Sequence, residues 1–247
     1  MTTPAPQTVR PVRKQSGPFV WVLDVLSGFV VSVVVSVILG IFIEWVGMHW
    51  WWKDEGVNHS QDMVVEDLNY LAEYPRSLIT DNTVDFAAKW AWYATQPFVM
   101  LGVTSFIKSH KTHGPQVDPN DTAIRKSLKL TLHDSAKYLT AAIHVTQDAA
   151  IRLAVVALAL PAFFLACLLG LIDGLGRRDI RKWSGGRESS FVYHHAKRLL
   201  WPAFTGGFTI YLTWPTGGLN PAWMVLPFGA AVAWTMSVMA STFKKYL

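Results

Sequence analysis

Residues 28–47 read GFVVSVVVSVILGIFIEWVG, a run whose one charge, Glu44, stands near its end. An α-helix rises about 1.5 Å per residue, so this run covers the roughly 30 Å of hydrocarbon in a bilayer. Such a run must be buried in a large protein core or placed in lipid. The chain has 247 residues, of which 51% are hydrophobic and 16% charged, with a mean hydropathy of +0.25. A soluble domain carries nearer about a quarter charged residues, so lipid is the expected surrounding.

Arg10, Arg13 and Lys14 precede the run, as in a signal peptide. The apolar stretch from Phe19 to Trp52 is far longer than a signal h-region, and no small-residue cleavage site follows it. It reads as an uncleaved first span over 19–48. A second span covers 151–173, where Pro161 should kink the helix. A third, Leu199 to Trp214, is short and interrupted by Gly206 and Gly207; a fourth runs from Ala222 to Thr242. The link PTGGLNP allows only a tight turn, so 199–243 forms a helical hairpin. The expected fold is an all-α membrane protein with four transmembrane helices and a helical extracytoplasmic insertion between the first two.

Charge by segment orients this layout. The Pro- and Thr-rich tail, 1–18, has three basic residues and no acid and is expected to be disordered. Segment 174–198 has seven basic residues against Asp179 and Glu188, and the chain ends with Lys244 and Lys245 in 244–247. Segment 49–150 carries nine basic residues against twelve acids. Four spans place the three basic segments on one side, which the positive-inside rule makes cytoplasmic. Both termini are then cytoplasmic and 49–150 is periplasmic. Residues 86–107 compete as a further span, but Lys89 and Gln96-Pro97 interrupt them, and an odd number of spans breaks the charge pattern.

Within 49–150, Ser60 is the expected start of a helix with Val64, Leu68 and Leu71 on one stripe and Pro75 as its stop. A second helical pattern runs from about Asn82 to Lys108. THGPQVDPND is a loop, and Asp121 caps a third helix whose stripe holds Ile124, Leu128, Leu132, Ser135 or Ala136, Leu139 and Ile143. No Gly or Pro occurs from Thr122 to Leu160, so this helix can run directly into the second span.

Small residues recur every fourth position in three spans: Gly28, Ser32, Ser36 and Gly40; Ala162, Ala166, Gly170 and Gly174; Gly229, Ala233, Ser237 and Ser241. Lipid supplies no hydrophobic drive between spans, so close backbone approach must supply the association energy, within the bundle or between copies in a homo-oligomer. Asp24 and Glu44 sit at the two ends of the first span, near the interface, and read as structural. Arg152, at the outer mouth of the second span, is a candidate partner for Glu44; otherwise each faces the headgroups.

No GxSxG, HExxH or GxxxxGK[ST] pattern is present. His194 and His195 are neighbours that point about 100° apart on a helix and chelate poorly. His110 and His113 lack further ligands nearby, and Ser189 or Ser190 with His194 and Glu188 is too generic for a triad. The single Cys167 precludes an intrachain disulfide. The expectation is a protein without enzyme activity, metal or cofactor. A small transporter or channel is the alternative, disfavoured by the scarcity of mid-span charge.

The basic segment remains as the functional candidate: Arg177, Arg178, Arg181, Lys182, Arg187, Glu188, Tyr193, His194, His195, Lys197 and Arg198. Such a cluster suits anionic headgroups or the acidic face of a cytoplasmic partner, and direct contact with DNA is not expected. Gly185-Gly186 divides it into two basic helical pieces. The block DGLGRRDIRKWSGGRESSFVYHHAKRLLWP, with Pro202, Pro215 and Pro221 beyond it, resembles the integrating conjugative element membrane protein family. The resemblance is best over 150–247. It implies an inner-membrane component of conjugative DNA transfer, working beside a type IV secretion channel and its coupling ATPase, and it implies no catalytic residue. On that footing the basic segment is expected to dock the coupling ATPase or another transfer protein.

Overall fold

The computed structural model describes residues 18–112, 122–185, 190–214 and 217–243. The rest of the tail, the cap at Asp121, most of the THGPQVDPND loop, Arg187, Glu188, Ser189, Pro215, Lys244 and Lys245 lie outside the described residues, as does the side chain of Asp24. Among the described residues there are seven helices and no strand: α1 (Pro18–Trp50), α2 (Val57–Glu73), α3 (Thr83–Met100), α4 (Val103–Thr112), α5 (Ala123–Trp183), α6 (Ser190–Thr213) and α7 (Ala222–Thr242). The chain divides into two units, Met1–Val35 and Ser36–Leu247. In the first, α1 exposes Val20, Leu23, Phe29, Val30, Val31, Val34 and Val35, together with Gly28 and Ser32.

In the second unit α5 is the spine. Its 61 residues extend about 90 Å, uninterrupted from the expected amphipathic stripe into the apolar run because no Gly breaks it before Gly170 and Pro161 is accommodated within it. The C-terminal part of the stripe is packed, with Ala136 and Ile143 buried; Ile124 at its start is exposed. Helix α7 packs along the second half of α5, α6 packs on α7, and α2, α3 and α4 lie against the first half of α5. The core joins Leu71, Ala87 and Ala91 to Ile151, Ala154, Val155 and Phe163, and these to Phe208, Tyr211 and Val232.

The small residues of the α5 and α7 stripes meet unevenly. A Cβ at Gly170 would collide with the Ala233 carbonyl, and one at Gly174 with the Ser237 carbonyl and the Ala240 methyl, so both glycines are sites of backbone contact. Ala162 and Ala166 are half-buried or exposed on the same helix, and a Cβ at Gly229 would meet nothing within 4 Å. Gly206 and Gly207 do not interrupt α6. They lie beneath the Phe228 ring of α7, where an added Cβ would come within 3.1 and 2.7 Å of it.

Two local expectations are corrected. Ser60 is not the cap of α2: the helix starts at Val57 after Gly56, whose φ of 55° ends the preceding turn, and Ser60 is buried inside it. The single helix over 82–108 is two, because Gly102 adopts φ 73° between α3 and α4. In segment 174–198 the expected division into two helical pieces is seen, with helix to Trp183 and from Ser190 and Gly185 at φ 67° between. The stop before Pro75 and the start at Asn82 stand: α2 ends at Glu73, and the Asn82 side chain accepts from the Asp85 amide at 3.1 Å.

Among the described residues three helical stretches are long and apolar enough to cross a membrane: Ser27–Trp50, Ile124–Trp183 and Ala222–Thr242. Neither α6 nor the α3–α4 pair is among them.

Candidate functional site

Two constellations of polar side chains stand out. The first is buried where α1, α2, α5 and α6 converge. Glu44 is 2% exposed, Asp67 1%, Asp148 4% and Arg152 2%, values that require each charge to be compensated within the protein. Arg152 Nε lies 2.9 Å from Asp67 Oδ2 and 3.0 Å from Asp148 Oδ2. Its Nη1 donates to the Trp214 carbonyl at 2.5 Å, at the end of α6, and its guanidinium lies 5.9 Å from the centre of the Tyr211 ring. Burial pushes the Asp67 carboxyl above the usual carboxylate range, and Arg152 opposes that rise.

Arg152 is therefore not the partner of Glu44. Glu44 pairs with His59, whose Nδ1 lies 3.1 Å from Oε2 and 3.3 Å from Oε1. The Trp52 ring stacks on His59 at 4.0 Å and 15° and covers Gly47, where a Cβ has no room. The backbone makes this possible: the amides of Trp51 and Trp52 both donate to the Gly47 carbonyl, which turns the chain back over the end of α1. Ser36, Gly40 and Glu44 are successive positions of the first stripe. Ser36 donates to the Leu212 carbonyl at 3.2 Å, Gly40 faces Val145, and Glu44 ends the series at His59. Neither Glu44 nor Arg152 faces headgroups.

Helix α2 closes this region from outside. Met63 packs on Gly217, and the Tyr70 hydroxyl donates to the Gly218 carbonyl at 3.1 Å, so the α6–α7 link rests on α2. A cavity of about 130 Å³ lies beneath, lined by Glu44, Asp148, Arg152 and the apolar side chains of Ile43, Met63 and Val145. The sequence held one signal for the cluster that the span-end reading passed over. Asp148 and Arg152 are opposite charges one helical turn apart at the threshold of an apolar run.

The second constellation is the basic region at the end of α5 and the start of α6. Its cations have different employments. Arg177 pairs with Asp173 at 2.9 Å and Lys182 with Asp179 at 3.5 Å, both on the surface. Arg181 reaches the Ser241 carbonyl and ties α5 to the end of α7, and Ser237 donates to Asp173 across the same contact. Arg178 is half-buried. On α6, Tyr193 faces Phe243 at 5.8 Å, and the His195 ring lies 4.0 Å from that of Phe191, its Nδ1–H pointing to the Phe191 carbonyl at 3.0 Å. His194, Lys197 and Arg198 are exposed, and Trp183 is 91% exposed. The region is thus a structured face, with Lys197 and Arg198 bearing the accessible charge on α6. Among the described residues no group of three or more His, Cys, Asp or Glu is placed to hold a metal ion.

Neither the curated proteins nor the solved structures contain a match to this chain. Residues 51–244, which take in α2 to α7, the basic region and, of the buried cluster, His59, Asp67, Asp148 and Arg152 but not Glu44, match the family described as IncC plasmid conjugative DNA transfer protein DtrJ-like, and the chain belongs to that family.

Proposed function

We propose that the protein is a non-enzymatic, multi-pass inner-membrane component of a conjugative type IV secretion apparatus, carried by an integrating or plasmid-borne element. It crosses the bilayer four times, with α1, the 151–173 part of α5, the 199–214 part of α6, and α7. Both termini and the basic face are cytoplasmic, and α2 to α4 with the first half of α5 are periplasmic. The basic face docks the coupling ATPase or another transfer protein, and the small-residue contacts hold the bundle or a homo-oligomer. Membership of a conjugative DNA transfer family carries this reading. The exposed cations of α6, with Phe191 exposed on the same helix and Trp183 exposed at the end of α5, support the docking role, since charge and aromatic surface together suit an acidic protein face.

The test is co-purification of tagged protein from donor-cell membranes in mild detergent, with and without Lys197→Glu and Arg198→Glu. These two are chosen because neither has an ion-pair partner among the described residues, whereas Arg181 holds the fold. Recovery of a coupling ATPase or channel subunit, lost in the reversed variant together with about tenfold or more of transfer frequency, is the expected result. Unchanged recovery and transfer with an inserted, stable variant would end the docking assignment.

A further inference from the structure

The buried cluster does not balance its charge. Arg152 supplies one cation to two carboxylates, and it does so through a single N–H: Nε lies 2.9 Å from Asp67 and 3.0 Å from Asp148. Its Nη1 is spent on the carbonyl of Trp214, and Nη2 has no partner. Oδ1 of each aspartate is also buried without a partner. Glu44 does not draw on Arg152, since His59 sits on both its oxygens. The charged groups that face the pair from the packed helices are Glu44 on α1, Glu66 on α2 and Arg152 on α5, with the phenols of Tyr70 and Tyr211. Two fully ionised carboxylates beside one guanidinium leave a net negative charge in a site at most 4% exposed, which water cannot screen. A cavity of about 130 Å³, which Asp148 and Arg152 help to line, has room for a few waters or one small ion beside the cluster.

We propose that this buried cluster binds one compensating positive charge, a proton shared between the carboxyls of Asp67 and Asp148, and that its occupancy holds α2 on α5. The shared proton turns one carboxylate into a hydrogen-bond donor toward the other. The pair then carries a single negative charge, which Arg152 cancels. Loss of the proton sets two like charges against each other across the α2–α5 contact, and α2 is the element free to withdraw. A monovalent metal ion could supply the same charge, and the experiment separates the two.

The full-length protein in lipid nanodiscs would be followed by infrared difference spectroscopy between about pH 6 and about pH 9, with amide hydrogen exchange of α2 on the same samples. The expected result is a protonated-carboxyl carbonyl band that disappears at the higher pH, with the protection of α2, taken relative to the intrinsic base-catalysed exchange rate at each pH, falling about tenfold or more. Asp148→Asn, which keeps the hydrogen bond without the charge, should lack the band and keep α2 protected at both pH values; Asp67→Asn should do the same. Replacing sodium by potassium or choline at constant pH should change neither readout. Three results would each overturn the proposal: no band that Asp148→Asn removes, α2 protection that follows the alkali cation at constant pH, or both asparagine variants failing to fold, which would mean that both negative charges are required.

Discussion

Arg152 and Asp67, 85 positions apart, meet at 2.9 Å in the interior and join α5 to α2. A buried ion pair contributes little over an apolar replacement of both partners, but removal of one partner leaves an uncompensated charge. In this site removal of Arg152 leaves the Asp67–Asp148 pair without its cation.

Arg152→Met is therefore expected to destabilise the protein by about 3–5 kcal/mol, with α2 released first. Combining it with Asp67→Asn and Asp148→Asn should restore much of that loss, because no buried charge then stands alone. Thermal unfolding of the purified variants in one detergent checks both statements. A single variant as stable as the unmodified protein would show that Arg152 does not hold α2.

The α5–α7 contact makes a sharper distinction between glycines than their spacing does. Gly170 lies against the Ala233 carbonyl, so Gly170→Val should cost about 1–3 kcal/mol through forced separation of the helices. Gly229 has open space where a Cβ would go, and Gly229→Ala should leave stability unchanged or raise it by up to about 1 kcal/mol through helix propensity. Unfolding midpoints measured side by side decide it.

The same contrast shows what a sequence can carry. The passage of α5 from an amphipathic stripe into an apolar run was legible because helix continuity is local: it needs only the absence of Gly and Pro. The stop at Pro75 and the start near Asn82 were legible because such signals are local as well. Arg152 was paired with Glu44 on depth alone, since both stand at span ends. The true partners lie one turn away on α5 and on α2, and only tertiary packing brings α2 there. Ser60 has the side chain of a cap, but Gly56 can take the positive φ that turns the chain into α2, so the helix begins a turn earlier. The basic segment was legible as a face and not as a set of roles. Arg177–Asp173 and Lys182–Asp179 are pairs within one turn of α5, whereas the use of Arg181 on the Ser241 carbonyl depends on where α7 ends.

Trp52 is the cover of the Glu44–His59 pair. Its ring stacks on the imidazole and lies over Gly47, so Trp52→Ala should open the end of α1 to water at a cost of about 2 kcal/mol. Limited proteolysis should then cut between α1 and α2, in residues 51–56, at least several-fold faster. Unchanged cleavage would show that the backbone turn at Gly47 holds the segment without the ring.

Topology can be read with single cysteines. Cys167 is half-buried within the second apolar run, so a Cys167→Ser background removes the native thiol. Leu78, 81% exposed between α2 and α3, and Trp183, 91% exposed at the end of α5, then report the two ends of the bundle. If α2 to α4 are periplasmic, Leu78→Cys is labelled by a membrane-impermeant maleimide in intact spheroplasts, and Trp183→Cys only after permeabilisation. The positive-inside rule gives the expected direction, because seven basic residues in 174–198 resist translocation more than the mixed charges of 49–150. Labelling of both sites in intact spheroplasts would mean that 151–173 does not cross the membrane, and labelling of Trp183→Cys alone would invert the orientation.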